Sequence, residues 1–258
     1  MITRRSFLKS FAAGKQSTKS TPNILFIAVD DLKPVLGCYG HKAIKSPNID
    51  RLANEGILFN RAYCQVPLCG PSRASLLSGI RPTFERFRDN NSWVNQISDS
   101  ITLPQTFKEN GYHTISNGKI FHHPSDTASR SWSEQPFDLA NPGHMETNDP
   151  NSEQFKNPTT NYGPFYESPD VSDTDYIDGK VCDKTIQDLH RLKDMDQPFF
   201  LACGFVRPHL PFYAPKKYWD FYDRDEIDLA DNRFRPIEAP DALKASGEVL
   251  MYGLRGTD

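Results

Sequence analysis

The sequence predicts an α/β fold: a mainly parallel sheet sandwiched by helices. Three observations carry this. Residues 23–29 and 198–205 are continuous runs of aliphatic and aromatic side chains, too short for most helices, as strands buried on both faces are. Between such runs lie segments that read as capped helices, the alternation of βαβ units. Each run also stops at polar residues, and in open α/β sheets ligands bind beyond the carboxyl ends of the strands.

Taken in order, the chain opens on Arg4-Arg5-Ser6-Phe7-Leu8-Lys9, a string like the twin-arginine export signal of bacteria. Only Phe11-Ala12-Ala13-Gly14 follows it, short of the ~7–15 apolar residues such a signal needs. The protein is expected to be periplasmic or secreted if this signal works, and retained in the cytoplasm if it does not. Residues 1–20 are expected to be a disordered tail, with the fold in residues 21–258.

The first strand, residues 23–29, ends in Asp30-Asp31. Adjacent carboxylates after a buried strand are costly unless a cation or hydrogen-bond donors neutralise them. Either they hold a hard cation, Ca2+ or Mg2+, which takes oxygen ligands, or one caps a helix and its neighbour is solvated. Residues 46–56 read as a helix: Ser46 is the N-cap, Pro47 the first position and Gly56 the stop. Ile49, Leu52 and Ala53 form its apolar face. Residues 57–63 then read as a second strand.

That strand leads to Cys69-Gly70-Pro71-Ser72-Arg73 and Ala74-Ser75-Leu76-Leu77-Ser78-Gly79. Pro71 suits the first position of a short helix, where no N–H is needed, and Gly79 suits its end. Cys69 then sits at the positive end of a helix, where a thiolate or an oxyanion is favoured. Arg73, a turn further on, can reach back to an anion. Alone, a cysteine there is equally an ordinary buried one.

Residues 103–111 form another short helix with a glycine stop, and residues 112–116 a strand. It runs into Asn117-Gly118-Lys119-Ile120-Phe121-His122-His123. Lys119 and His122, three apart, face one pocket if that turn is helical. Residues 123–174 are polar and aperiodic, a substrate-side excursion or a partly flexible segment. Residues 175–195 read as a helix, and the strand at 198–205 ends in Val206-Arg207-Pro208-His209-Leu210-Pro211-Phe212. Prolines 208 and 211 stiffen that turn around His209.

Composition excludes several classes. A net charge of −3 and a pI near 6.2 give no electrostatic case for nucleic-acid binding. Five cysteines without a CxxC pair argue against a zinc ribbon and a disulfide scaffold. No apolar run approaches the ~18–20 residues of a membrane span.

The string Cys69-Gly70-Pro71-Ser72-Arg73 resembles the sulfatase signature. Further matching strings are Val29-Asp30-Asp31-Leu32-Lys33-Pro34, Ser46-Pro47-Asn48-Ile49-Asp50, Gly118-Lys119-Ile120-Phe121-His122 and Arg207-Pro208-His209-Leu210-Pro211-Phe212, spread in family order. Together they resemble the sulfatase family of the alkaline-phosphatase-like superfamily, and within it the iduronate-2-sulfatase subgroup. The resemblance implies that a maturation enzyme converts Cys69 to formylglycine. It implies one Ca2+ held by Asp30, Asp31 and residue 69, and a sulfated saccharide as substrate. It assigns Arg73 to the hydrated aldehyde, Lys119 to the sulfate, His122 to the formylglycine hydroxyl as a base, and His209 to the ester or its leaving oxygen. A phosphatase of the same superfamily would place Ser or Thr at the nucleophile, so Cys69 argues against it. The family's later calcium ligands find no match before Asp258, so the chain is expected to be the N-terminal part of the catalytic domain, C-terminally incomplete and of uncertain activity alone. The alternative is an inactive remnant or a non-catalytic binder of sulfated glycans.

Overall fold

A computed structural model describes residues 21–97, 99–138 and 165–227, with 231–232, 234–240, 247–248 and 252. The export-signal-like tail and residues 139–164 of the polar excursion lie outside the described residues.

The main sheet has three parallel strands: β1 (Ile24–Val29), β2 (His113–Gly118) and, between them, a strand at Phe199–Phe205. The residues 166–167 form β3 (Tyr166–Glu167), so the central strand is β4, and β5 (Phe212–Tyr213) pairs with β3 in a small separate sheet. Register is set by Ile24 opposite Phe200 on one side and Thr114 opposite Phe200 on the other. Every residue of β4 except Phe205 is buried, as an apolar run without alternation requires.

Helices cover both faces. On one lie α2 (Cys69–Ser78), α3 (Leu103–Glu109) and the short α4 (Ala128–Ser131), while α1 (Pro47–Glu55) buries none of its residues and packs beside the turn at Gly37–Tyr39. Leu77 of α2 joins Phe121, Trp132, Phe200 and Ala202 in the larger core, with Phe107 of α3 stacked 4.7 Å from Phe200. On the other lies α5 (Ile177–Leu192), the crossover between β2 and β4, whose Leu192 packs with Ile115, Phe199 and Leu201. A last short helix is α6 (Lys216–Trp219). One buried network bolts α5 to β2. Asp188 accepts from Asn117 at 2.8 Å, Arg191 at 2.9 Å and Lys184 at 2.5 Å.

The expected strand at residues 57–63 does not form. Ile57 and Tyr63 are 82% and 81% exposed. An apolar run becomes a strand only beside a partner ladder, and no strand lies alongside it among the described residues. One expected cap is missing and one boundary moves. Ser46 precedes α1 as expected but does not cap it. Its hydroxyl oxygen accepts from the Gly37 amide at 2.9 Å and donates to Asp50 at 3.0 Å. Helix α2 begins at Cys69, two residues before Pro71, and ends at Gly79 in the left-handed region as expected.

Candidate active site

The polar ends of β1, β2 and β4 meet the start of α2. Asp30 continues the sheet, its amide donating to the Phe205 carbonyl at 3.0 Å. Its carboxylate is buried and takes Arg73 at 2.9 Å on one oxygen and Lys119 on the other. Burial pushes this carboxyl's pKa up, but the charges of Arg73 and Lys119 outweigh that and hold it below the ordinary range. Arg73 also donates to the carbonyls of Lys119 at 2.6 Å and Ile120 at 2.9 Å. Its partners among the described residues therefore lie on the Asp30 and Lys119 side. Among the described residues no hydrogen bond joins it to Cys69.

Lys119 is placed by a close backbone approach. Its amide donates to the Gly204 carbonyl at 2.9 Å, and a Cβ at Gly204 would meet the Lys119 carbonyl oxygen at 2.0 Å. The turn after β2 is not helical, yet His122 reaches the sulfur of Cys69 and the charge of Lys119 acts on it. Burial raises the Cys69 thiol, while hydrogen bonds from His122 and His209 and the charge of Lys119 outweigh it and bring it to about 6. Its place at the amino end of α2 works in the same direction. His122 carries a buried Nδ1 with no partner among the described residues.

His209 arrives on the loop after β4. Asp178 of α5 accepts from the amides of Val206 and Arg207, each at 2.8 Å, and Arg207 donates to the His209 carbonyl at 3.1 Å. The peptide bonds before Pro208 and Pro211 are both cis. His209 Nδ1 lies 2.7 Å from the Leu210 carbonyl, which only accepts, so Nδ1 carries the proton and Nε2 faces the site. Nε2 lies 3.8 Å from Asp31 and 3.6 Å from Glu248. The hydrogen bond with Cys69 is the main cause of a raised His209 pKa.

The structure thus brings Asp30, Asp31, Cys69, Arg73, Lys119, His122 and His209 to one sheet edge. Two residues went unnoticed in the sequence, Glu248 and Asn90. Asn90 accepts from Cys69 Sγ at 3.4 Å. Neither belongs to a motif, and no signal in the sequence points to either.

The residues suit the two implied groups unequally. A hydroxyl-bearing residue 69 fits, because His122 Nδ1 is unpartnered and Asn90 offers an acceptor. A calcium ion does not fit the donors as arranged. No three His, Cys, Asp or Glu side chains among the described residues form a metal-binding group, and both oxygens of Asp30 already hold protein cations. Calcium takes six to eight oxygens, and the expected set of Asp30, Asp31 and residue 69 is not assembled here.

Fold and site together define a cluster of cysteine, histidine, lysine and aspartate side chains at the edge of a parallel sheet, and comparison with known proteins names the family. The sulfatase family model matches residues 22–244, so the chain belongs to the sulfatase family. It is 40% identical over 243 residues to iduronate 2-sulfatase of Homo sapiens, covering 88% of this chain and 42% of that protein. A sulfatase of Formosa agariphila is 35% identical over 231 residues, covering 82% and 44%. A solved structure of Ps i-CgsB in complex with k-i-k-neocarrahexaose matches with TM-score 0.53 at 28% identity, covering 73% of this chain and 45% of that one. The phosphonate monoester hydrolase of Agrobacterium radiobacter shares the fold, with TM-score 0.59 at 22% identity over 83% of this chain and 47% of that one. The chain spans less than half the length of these relatives. Formylglycine and Ca2+ are general to the family.

Proposed function

We propose that residues 21–258 are the nucleophile-bearing part of a sulfatase acting on sulfate esters of saccharides, similar to iduronate 2-sulfatase. The observation that carries this is Cys69 at the start of α2, ringed by Lys119, His122 and His209. The substrate class follows relatives named for sugar sulfates, including an N-acetylglucosamine-6-O-sulfatase of Bacteroides thetaiotaomicron at 42% identity over 106 residues.

When formed by a maturation enzyme, the formylglycine hydrate supplies one hydroxyl to attack the ester sulfur and a second whose deprotonation releases sulfate. The surrounding residues bind, orient and move protons. Lys119 is the more exposed of Asp30's two cations and takes a sulfate oxygen. The positive end of the α2 dipole favours the charge that develops there. His122 accepts a proton from residue 69. His209 has Nδ1–H committed to Leu210, so its Nε2 faces the site and, when protonated, donates to the leaving oxygen. Arg73 fixes Asp30 and the Lys119 backbone rather than touching substrate.

The test is sulfate release from an aryl sulfate and a sulfated disaccharide by chain co-expressed with a formylglycine-generating enzyme. Peptide mass spectrometry reports conversion at residue 69. Turnover abolished in Cys69→Ala supports the hydrolase. A second reading, a glycan binder without turnover, draws support from the unassembled metal donors. Saturable binding of a sulfated oligosaccharide by fully converted chain without sulfate release would select it.

A further inference from the structure

The geometry points to Asn90 as a positioning residue that fixes the rotamer of residue 69 and the first turn of α2. Its consequence for turnover rests on the sulfatase reading above. Asn90 Oδ1 accepts two hydrogen bonds, from the Gly70 amide at 3.1 Å and from Cys69 Sγ at 3.4 Å. The Gly70 amide is one of the first-turn donors that no helix carbonyl can satisfy. One side-chain oxygen therefore ties down both the backbone that carries the nucleophile and the nucleophile's own side chain.

The approach is built in. A Cβ at Gly70 would lie 2.8 Å from Asn90 Cα and 3.1 Å from the Asp89 carbonyl oxygen. Glycine between Cys69 and Pro71 is what lets the 89–90 loop close on the helix. The loop is fastened from behind. His123 Nε2 donates to the Asn90 carbonyl at 2.7 Å, and its ring stacks on Trp93 with centroids 4.0 Å apart and planes 5° from parallel. Buried Asp126 then accepts from the amides of Val94 at 2.8 Å and Asn95 at 2.9 Å. The acceptor thus hangs from the same turn that carries Lys119 and His122.

An acceptor for a thiol proton is equally an acceptor for a hydroxyl. On a hydrated aldehyde at residue 69, Asn90 would engage one hydroxyl and leave the other turned toward substrate. Selecting between two otherwise equivalent hydroxyls needs such an asymmetric partner. Asn90 itself has no part in proton transfer, since an amide neither gains nor loses a proton here.

The experiment uses the full chain as expressed, with Cys69 unconverted, at pH 5 so that the thiol is protonated. Nuclear magnetic resonance gives the three-bond couplings of the Cys69 methylene and the exchange rate of the Gly70 amide. Wild type and Asn90→Asp, which keeps an acceptor oxygen, should show one Cys69 rotamer and a protected Gly70. Asn90→Ala should show averaged couplings, with Gly70 exchange raised about 5-fold, the loss of a bond worth ~1 kcal/mol. Asn90→Ser, whose oxygen stops short, serves if Asn90→Ala does not fold. Unchanged couplings and protection in a folded Asn90→Ala or Asn90→Ser overturn the proposal. In converted chain, Asn90→Ala should lower kcat about 10-fold with KM within about 2-fold, as misplacement of a reacting group does. An unchanged kcat also overturns it. If converted wild type shows no turnover, the sulfatase reading fails, and the couplings still decide the role of Asn90.

Discussion

Replacing Asp30 with Asn removes a charge while keeping its volume, and the structure sets the cost. Asp30 and Arg73 are 4% and 6% exposed. Removing one partner of a buried pair costs about 3–5 kcal/mol, because the other charge is left uncompensated. Here Arg73 keeps its bonds to the Lys119 and Ile120 carbonyls, and Lys119 lies nearer to water. The lower end applies, about 3 kcal/mol, which lowers Tm by ~6–12 °C in a chain of this size. The pH dependence has a definite sign. The folded pKa of Asp30 lies below its unfolded value. Its contribution is therefore complete above the unfolded value near ~4 and is lost as pH falls through the folded one. Urea unfolding of wild type and Asp30→Asn at pH 7, 5 and 3 measures both effects. The gap between them should be constant from pH 7 to 5 and narrow at pH 3. A gap below about 1 kcal/mol at pH 7 would mean the pair is worth no more than a surface one and would refute the reasoning. So would curves that stay parallel down to pH 3.

Unconverted Cys69 should react with iodoacetamide with an apparent pKa near 6, read peptide by peptide against the other cysteines, and His122→Ala should move that value up, since His122 lowers it; titration at an ordinary thiol value in wild type would contradict the site's electrostatics. Asp188→Ala should cost about 2 kcal/mol by leaving buried Asn117 without its main acceptor, while Arg191 keeps Glu134, whereas Lys184→Ala, at a partly exposed partner, should cost at most about 1 kcal/mol; equal losses in urea melts would show that the network is not organised around Asp188. Calcium at 1 mM should raise the Tm of this 258-residue chain by no more than ~2 °C, the effect of a Kd near or above that concentration; a micromolar Kd by calorimetry would show that Asp30 gives up its protein cations readily.

Strand β4 was legible because a run with no polar face fits a doubly covered strand and little else, whereas β1 forms where expected but is covered on one face only, with Leu25 and Ile27 45% and 51% exposed. The same reasoning failed at residues 57–63, since apolar composition says nothing about whether a neighbouring strand exists. Ser46 was readable as the residue before α1, but not as a partner of Gly37 and Asp50, contacts that depend on how a distant turn folds back. At the site, Asp30, Asp31, Cys69, Arg73, Lys119, His122 and His209 fall at one sheet edge. Their pairing was not legible. The sequence left open whether a cation or donors neutralise Asp30, and in the structure Arg73 and Lys119 do so. Asn90 was hidden for the same reason, because its role comes from a loop closing on Gly70 across some twenty residues.

The pairing of Asp30 divides labour between two cations that the sequence presents as equivalent. Arg73 spends its guanidinium on one carboxylate and two carbonyls, all within the protein, and planar fork geometry makes such multiple commitments hard to release. Among the described residues the Lys119 ammonium has one acceptor, Asp30, at the more open end of the cluster, and a flexible stem. On the sulfatase reading proposed above, a sulfate oxygen would compete for Lys119 without dismantling the strand ends, while Arg73 stays behind to hold Asp30. Arg73 is then the fixed counter-charge and Lys119 the adjustable one, and a loss of charge at either position should be felt differently, in stability for the first and in substrate affinity for the second.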